Sequence, residues 1–137
     1  SYQSFPPGSD YRFMPPLSVD PEVFYLAMRN FLENSIKYQS DFSSPPLVSV
    51  FWRDHGEFVE FDISDDGVGI DQDEEKYLFR MGFRGREAVL RSTRGNGIGL
   101  AFSRQALEVY GGNVEYSGVG LRSRGCRFTI TVGRARE

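Results

Sequence analysis

The stretch RGNGIGL, residues 94–100, has glycine at three alternate positions and leads into a helical pattern, LAFSRQALEVY, that closes with Gly111 and Gly112. Glycine adopts backbone angles that side chains forbid, and it lets a ligand approach the chain closely. The first turn of a helix also offers unpaired N–H groups at the positive end of its dipole, which is a favourable position for phosphate. On its own, the stretch fits a phosphate-binding loop and an ordinary mobile loop equally well.

Length and composition indicate a single globular domain. The chain has 137 residues, of which 39% are hydrophobic and 26% are charged, and its formal net charge is −3. This charge excludes a general attraction to nucleic acid or to anionic membranes. The single cysteine, Cys126, excludes an internal disulfide, and no Cys/His cluster indicates zinc. Without a secretory leader or a bilayer-length apolar run, we expect a cytoplasmic domain, whether or not its parent protein is anchored in a membrane.

A helix is predicted to begin at Asp20–Pro21, where an N-cap acceptor precedes a proline, and to run to about Gln39. Its apolar residues recur at spacings of three and four, which indicates one buried stripe. Asn30 and Asn34 lie on one face beside that stripe, with Lys37 one turn beyond Asn34. The Asn34 carboxamide oxygen suits Mg²⁺, and Lys37 suits phosphate. A lone pair of asparagines, however, more often marks the polar edge of a core helix.

Two strands are predicted to form a hairpin, Leu47–Arg53 and Glu57–Ser64. The second strand leads into DDGVGID at residues 65–71. A carboxylate at the end of a strand, here Asp65, can accept a hydrogen bond from an exocyclic amino group such as that of adenine. Gly67 and Gly69 leave space for a flat base against the backbone. Taken alone, this motif is better explained as a glycine turn with a solvated aspartate.

The remaining predicted elements are a short helix, a second long helix and a final strand pair: Gln72–Phe79, residues 97–110, Asn113–Ser117 and Arg127–Val132. Between the two helices, Arg80–Arg94 holds five arginines and one acid, so positive charge gathers just before the glycine loop. Residues 1–19 are predicted to be a proline-rich lead-in with an edge strand near Tyr11–Met14. Residues 20–132 would then form the domain, and residues 133–137 a frayed tail.

Three signals follow one another along the chain: a helix with NxxxN, a strand with DxGxG, and GxGxG opening a helix. Together they resemble the Bergerat-type nucleotide-binding superfamily, and most of all the ATP-binding catalytic domain of sensor histidine kinases. Four motifs, similar to the N, G1, F and G2 boxes of that family, carry the resemblance: RNFLENSIKY (29–38), ISDDGVGI (63–70), LFRMGFRG (78–85) and GNGIGLAFSRQALEVYGG (95–112). The resemblance implies an α+β fold, a two-layer α/β sandwich with a mixed, mostly antiparallel sheet of about five strands and about three helices on one face.

The resemblance also implies a role for each matching residue. Asn34 would coordinate Mg²⁺, and Asp65 would hold the adenine amino group. Phe79–Arg94 would form a mobile lid, in which Arg84 faces the charge that develops on the transferring phosphoryl group. The other residues implied to bind ATP line the phosphates or shape the base pocket: Asn30, Lys37, Tyr38, Gly67, Gly69, Ile70, Phe79, Phe83, Gly95, Asn96, Gly97, Ile98, Gly99 and Leu100.

One position separates the branches of the superfamily. Hydrolytic members have a water-activating glutamate four residues before the Mg²⁺-binding asparagine, whereas this chain has Asn30, which cannot act as a base. The nearby acid Glu33 lies about 100° around the helix from Asn34, and the resemblance implies that it assists a phosphoacceptor histidine. The implied catalytic residues are Glu33, Asn34, Lys37 and Arg84. This pattern favours a kinase over an ATPase.

The function implied is binding of Mg–ATP and donation of the γ-phosphoryl group to a histidine on a separate dimerisation domain of the parent kinase. The receiver domain of a response regulator would accept it next, and no contact with nucleic acid or direct contact with membrane is expected. His55, the only histidine, is predicted in a hairpin turn and not as the acceptor. Cys126 replaces the small hydroxyl residue of the family's late motif and lacks a good donor for a water-bridged contact with adenine. Two alternatives remain: a hydrolytic or serine-directed member of the superfamily, and a degenerate regulatory module.

Overall fold

The computed structural model describes residues 14–37, 45–83 and 99–136. These ranges contain two α-helices, α1 (Pro21–Lys37) and α2 (Gly99–Val109), and four strands, β1 (Val48–Asp54), β2 (Phe58–Asp65), β3 (Asn113–Gly118) and β4 (Arg127–Gly133). Two short 3₁₀ segments, Gln72–Tyr77 and Leu121–Ser123, complete the regular structure of these ranges. No helix within them is both long and apolar enough to cross a bilayer.

Helix α1 begins where the sequence predicts. Asp20 Oδ1 accepts hydrogen bonds from the backbone N–H groups of Glu22, at 2.8 Å, and Val23, at 3.3 Å. These bonds satisfy donors that have no partner within the first turn of a helix. The buried face repeats every four residues, at Ala27, Phe31 and Ser35. The predicted extension to Gln39 lies outside the described residues.

The four strands form one antiparallel sheet in the order β1-β2-β4-β3. β1 and β2 make the predicted hairpin, and the His55 N–H closes its turn by donating to Phe58 O at 2.9 Å. β4 pairs with β2 on one side and with β3 on the other, so the predicted final strand pair is confirmed. His55 is an exposed residue of the hairpin turn, as predicted.

The described residues hold four strands paired only antiparallel, slightly fewer than the roughly five strands of the predicted mixed, mostly antiparallel sheet. The described part of the lead-in, residues 14–19, makes an isolated bridge between Leu17 and Arg134. Residues 11–13 are outside the described ranges. The prolines at positions 15 and 16 explain the short pairing, because proline lacks the N–H that a longer ladder needs.

The carboxyl-terminal tail is held in place. Three backbone hydrogen bonds of 2.7–2.9 Å join it to the lead-in and to the turn before β2: Ser18 N–H to Gly133 O, Arg134 N–H to Glu57 O, and Ala135 N–H to Pro16 O. The Arg134 guanidinium also lies 2.9 Å from the Asp54 carboxylate. The frayed tail predicted for residues 133–137 is therefore wrong at residues 133–135.

One face of the sheet carries the core. Its buried residues alternate along the central strands: Val59, Phe61, Ile63, Phe128, Ile130 and Val132. On α1, Phe24 contacts Phe61 with 5.2 Å between ring centroids. Phe31 lies at the same distance, 5.2 Å, from Phe128. Helix α2 packs beside α1, and the predicted two-layer α+β sandwich is confirmed.

The segment after β2 forms a 3₁₀ helix, Gln72–Tyr77, and not the longer helix to Phe79 that the sequence predicts. Its first turn is acidic, and none of its residues is buried. A short exposed segment gains too little from packing to offset the cost of helix nucleation, so a tight turn forms instead. Burial resumes at Leu78, which belongs to the core.

Candidate functional site

Strand β2 ends in a buried carboxylate. Asp65 is 8% exposed, and its two oxygens have different partners. Oδ1 accepts the backbone N–H groups of Gly67, at 2.9 Å, and Cys126, at 3.1 Å. Oδ2 accepts the Ser35 hydroxyl at 3.1 Å, which ties β2 to helix α1. Three donors therefore fix the orientation of this side chain.

The surroundings of Asp65 act on its charge in opposite directions. Burial raises the pKa of the carboxyl, and the neighbouring Asp66 adds to that rise. The hydrogen bonds from Gly67, Cys126 and Ser35 lower the same pKa, because they stabilise the charged form. Oδ1 already has two backbone donors, so a ligand donor would go to Oδ2, which has one partner among the described residues. An amino group is such a donor.

The backbone of the loop before β4 lies close to Asp65. Gly125 has φ +77°, and a Cβ there would lie 2.5 Å from Asp65 Oδ1 and closer still to the Asp65 carbonyl oxygen. Gly69, predicted to shape the base pocket, has φ +74°, and its Cβ would lie 3.1 Å from the Gly125 carbonyl oxygen. Both positions combine a left-handed backbone with a close approach, which favours glycine on two grounds. The approach of this loop keeps the Cys126 N–H within reach of the carboxylate.

A second long-range contact joins α1 to the start of α2. Asn30 Nδ2 donates to Ser103 Oγ at 3.0 Å and, at 3.4 Å, to the carbonyl oxygen of Gly99. The Ser103 hydroxyl donates to the same carbonyl at 2.8 Å. Ser103 is fully buried, so these three groups form a closed and neutral network. Gly99 is the last glycine of the GxGxG motif, whose earlier residues lie outside the described ranges.

Helix α1 thereby brings the three predicted motifs together. Ser35 contacts the DxGxG strand, and Asn30 contacts the helix that GxGxG opens. Asn34 lies between these contacts in sequence, is half-buried, and makes no side-chain hydrogen bond within residues 14–37, 45–83 and 99–136. Its carboxamide oxygen is available to a ligand. The same ranges contain no group of three or more His, Cys, Asp or Glu side chains that could hold a metal, so a cation at Asn34 would need oxygens from a ligand or water.

Glu33 is placed on the outer face of α1. Its carboxylate lies 2.8 Å from Arg29 Nε, and the side chains of Arg29 and Glu33 are 57% and 44% exposed. Adjacent helical residues project about 100° apart, so Glu33 points away from the direction of Asn34. A partner domain could reach this carboxylate, and no described contact links it to the Asp65 network.

The F-box residues lie at the margin of the core. Phe79 packs edge-on against Phe128, with 6.3 Å between centroids, and the Arg104 guanidinium lies 4.7 Å above the Phe79 ring. Phe83 contacts Tyr77 at 5.9 Å. The part of the predicted lid after Phe83 lies outside the described residues, and the mobility of the lid stays a prediction.

The other predicted site residues divide into two groups. Ile70 and Leu100 are partly buried against the core. The described ranges exclude the rest, namely the Lys37 side chain, Tyr38, Arg84, Gly95, Asn96, Gly97 and Ile98. Their roles stay predictions.

The predicted motifs do not name three groups that contribute to the site: Ser35, Ser103 and the backbone N–H of Cys126. Each serine occupies a buried helix position four residues from a core residue, Phe31 or Leu107. A small hydroxyl residue in an apolar stripe is a signal for a buried hydrogen bond, so both could be found from the pattern. Cys126 acts through its main chain, which no side-chain pattern reveals. Burial raises the pKa of the Cys126 thiol to about 12, so the sulfur stays protonated.

Comparison with known proteins places this geometry in a family. The family model described as "Histidine kinase-, DNA gyrase B-, and HSP90-like ATPase" matches residues 19–136. FilI, a methanogenesis regulatory histidine kinase of Methanothrix harundinacea, is 35% identical over 100 residues, which are 73% of this chain and 11% of FilI. CikA, a circadian input-output histidine kinase of Synechococcus elongatus, is 32% identical over 117 residues, which are 82% of this chain and 14% of CikA. The chain thus spans between 11% and 14% of the length of these two relatives.

The fold also has solved counterparts. The mycobacterial sensor histidine kinase MprB superposes with a TM-score of 0.71 at 29% identity, over 88% of this chain and 78% of that one. The catalytic domain of the histidine kinase ThkA superposes with a TM-score of 0.68 over 86% of this chain and 71% of that one, and at 18% identity it shows likeness of fold alone. Because the family model matches nearly the whole chain, the protein belongs to the histidine kinase-, DNA gyrase B- and HSP90-like ATPases, and its resemblance to the catalytic domain of sensor histidine kinases is confirmed.

Proposed function

We propose that this chain binds Mg–ATP and serves as the catalytic domain of a two-component sensor histidine kinase, with residues 20–132 as the ATP-binding unit. One observation carries the proposal: helix α1 is hydrogen-bonded to Asp65 through Ser35 and to the first turn of α2 through Asn30. The three motifs that the resemblance links to ATP therefore meet along one helix. Membership of a family of ATPases supports a nucleotide as the ligand.

At the base end, Asp65 would accept the amino group of adenine. Its Oδ2 has one hydrogen-bond partner among the described residues, so it can accept a second hydrogen bond from a ligand. A carboxylate accepts from an amino group and repels a keto oxygen, so the site would favour ATP over nucleotides with a keto group at the same ring position. Gly67 and Ile70, which follow Asp65 in the chain, would lie beside the base.

At the phosphate end, Asn34 would hold Mg²⁺ through its carboxamide oxygen, with phosphate oxygens and water as further ligands. Bound Mg²⁺ would supply neutralisation of phosphate charge. The first turn of α2, which begins at Gly99 and Leu100, would direct its free N–H groups toward the triphosphate. As the resemblance implies, Lys37, Arg84 and the preceding glycine loop would add the remaining contacts.

The phosphoryl group would be kept for transfer to a partner. At the place of the hydrolytic glutamate, Asn30 donates its amide hydrogens to Ser103 and Gly99 and provides no base. The acceptor would be a histidine on a separate dimerisation domain, and a receiver domain of a response regulator would take the group next. Glu33 would assist that histidine once its pair with Arg29 opens. Exposed pairs of this kind are weak, so the opening is easy.

The test combines the chain with γ-labelled ATP, with and without a histidine-bearing dimerisation domain. We expect the chain alone to bind ATP without sustained phosphate release, and the added domain to acquire the label. Steady phosphate release by the chain alone would instead identify a hydrolytic enzyme. Absence of ATP binding would identify a regulatory module.

Within that assay, Glu33→Gln should slow transfer to the histidine domain and leave ATP affinity unchanged. Glu108→Gln is the matched control, because Glu108 pairs with Arg104 at 3.0 Å in the same exposed arrangement on α2. Equal transfer rates in the two variants would remove Glu33 from the reaction.

A further inference from the structure

We propose that Ser35 is a positioning residue that sets the preference of this site for adenine, by holding Asp65 Oδ2 in place as a hydrogen-bond acceptor. The inference rests on the proposed function, since it requires a nucleotide whose base meets Asp65. Its basis is one buried contact, in which Ser35 is 5% exposed and its Oγ lies 3.1 Å from Asp65 Oδ2.

The Ser35 hydroxyl has one proton and two nearby acceptors. Its Oγ lies 3.2 Å from the Phe31 carbonyl oxygen, one turn earlier in α1, and 3.1 Å from Asp65 Oδ2. A hydroxyl rotates about its C–O bond and can both donate and accept. When the Asp65 carboxylate is ionised, the Ser35 hydroxyl proton points to Oδ2. When a hydrogen-bond donor takes the place of that carboxylate, the Ser35 proton turns to the Phe31 carbonyl oxygen, and Oγ accepts a hydrogen bond from the donor.

The rest of the environment makes Oδ2 the oxygen that a base would meet. The N–H groups of Gly67 and Cys126 hold Oδ1 from the chain side. The backbone of Gly125 also approaches Oδ1 closely, since a Cβ at Gly125 would lie 2.5 Å from it. Among the described residues, the Ser35 hydroxyl is the one hydrogen-bond partner of Oδ2, which leaves one lone pair for a ligand. The Ser35 hydroxyl therefore sets the orientation of the lone pair of Oδ2 that a ligand would meet.

This arrangement would read a purine at ring position 6. An amino group there donates to Oδ2, whereas a keto oxygen would face another acceptor. Without the Ser35 hydroxyl, Oδ2 loses the donor that localises it, so an amino group would meet a less well placed acceptor. A purine with hydrogen at position 6 makes no such contact and would be insensitive to the change.

The test titrates the chain, in the presence of Mg²⁺, with triphosphates of three purines: adenosine, inosine and unsubstituted purine riboside, with an amino group, a keto group and hydrogen at position 6. For Ser35→Ala we expect ATP affinity to fall about tenfold, as for loss of a hydrogen bond to a charged group, and affinity for purine riboside triphosphate to stay within about twofold. Ser35→Thr keeps the hydroxyl and should keep the preference for ATP. Ser49→Ala, at a serine of similar burial on β1, controls for the loss of a buried hydroxyl. Thermal unfolding of each variant verifies that it is folded.

A parallel titration of Asp65→Asn separates the inference from the function on which it rests. If the wild type prefers ATP over inosine triphosphate, Asp65→Asn loses that preference and Ser35→Ala keeps it, the role of Ser35 is overturned and the proposed function stands. An equal fall for all three ligands in Ser35→Ala would overturn it as well. If the wild type shows no preference for ATP, the proposed reading of the base fails, and the inference fails with it.

Discussion

Helix α1 reaches the two ends of the site through contacts of different chemistry. At the base end, the Ser35 hydroxyl meets Asp65, an ionisable group that is buried and closely backed by Gly125. At the phosphate end, the Asn30 amide meets the Ser103 hydroxyl and a backbone carbonyl, and all of these groups are neutral. Both contacts join the helix to distant parts of the chain, yet only the first can respond to pH or distinguish an amino group from a keto group.

The difference indicates which end carries specificity. A buried charge is costly to desolvate, and it is tolerated where hydrogen bonds hold it in one orientation. A neutral network carries a smaller desolvation cost and mainly holds backbone in position. We therefore propose that the Asp65 network recognises the base and that the Asn30 network positions α2.

The largest effect is expected from a substitution that disrupts the base end alone. Gly125→Ala would press a methyl group against the Asp65 carbonyl oxygen and carboxylate, on a left-handed backbone. We expect the free energy of unfolding, measured by denaturant titration, to fall by at least about 3 kcal/mol. Gly111→Ala is the matched control, since the φ angles of Gly111 and Gly125 are +78° and +77° but nothing lies within 4 Å of a Cβ at Gly111. It should cost about 1–2 kcal/mol, and equal losses would show that the approach to Asp65 has no energetic weight.

The next effect concerns the charge itself. Asp65→Asn should lower ATP affinity about 10- to 100-fold, because an amide N–H group can then face the amino group of adenine. The fold should persist, since the carboxamide oxygen can still accept the N–H groups of Gly67 and Cys126. Calorimetric titration with ATP measures the change. Asp62→Asn, three residues earlier on β2, weakens an ion pair with Arg127, whose guanidinium lies 3.1 Å from the Asp62 carboxylate, and should leave the affinity unchanged. Equal affinity in the Asp65→Asn variant and the wild type would place adenine elsewhere.

A smaller effect is expected at the phosphate end. Ser103→Ala removes an acceptor of Asn30 and a donor to the Gly99 carbonyl, and should lower the free energy of unfolding by about 1–2 kcal/mol. Because the groups are neutral, this loss should be the same at acidic and neutral pH. Ser117→Ala, at an exposed hydroxyl paired with Thr129, is the control and should have little effect. A loss that varies with pH would show that this network contains a charge.

The smallest expected effect is a difference in pH slope. Because burial raises the folded-state pKa of Asp65, its contribution to stability is full below the ordinary aspartate pKa and is lost as pH rises through the folded value. The wild type should therefore lose stability relative to Asp65→Asn as pH increases across this window, which thermal unfolding at a series of pH values measures. The neighbouring Cys126 and Tyr116 have pKa values of about 12 and stay neutral there, and Asp66 is common to both proteins. A constant difference, or one of opposite sign, would contradict the burial of a charge at this position.

The elements that the sequence predicts correctly have local signals. Asp20–Pro21 marks the start of α1 by a cap, and the hairpin follows from two short runs around one turn. The ordered tail was not predictable from such signals, because Arg134 pairs with Leu17 and donates a hydrogen bond to Glu57, and both partners are remote in sequence.

The site shows the same division. The residue types of Asn34 and Asp65, and the order of their motifs, indicate one shared ligand because the resemblance supplies a fold. The partners that orient Asp65 do not follow from the motifs, since the contact with Ser35 depends on how Phe24 and Phe31 seat α1 on the sheet.

The most direct measurement is a crystal structure of the chain with Mg²⁺ and a non-hydrolysable ATP analogue. We predict the adenine amino group within hydrogen-bond distance of Asp65 Oδ2, the metal on the Asn34 carboxamide oxygen, and the triphosphate at the first turn of α2. A nucleotide bound away from Asp65, or a bound state in which α1 has lost its contacts through Ser35 and Asn30, would contradict the convergence of the three motifs on one ligand.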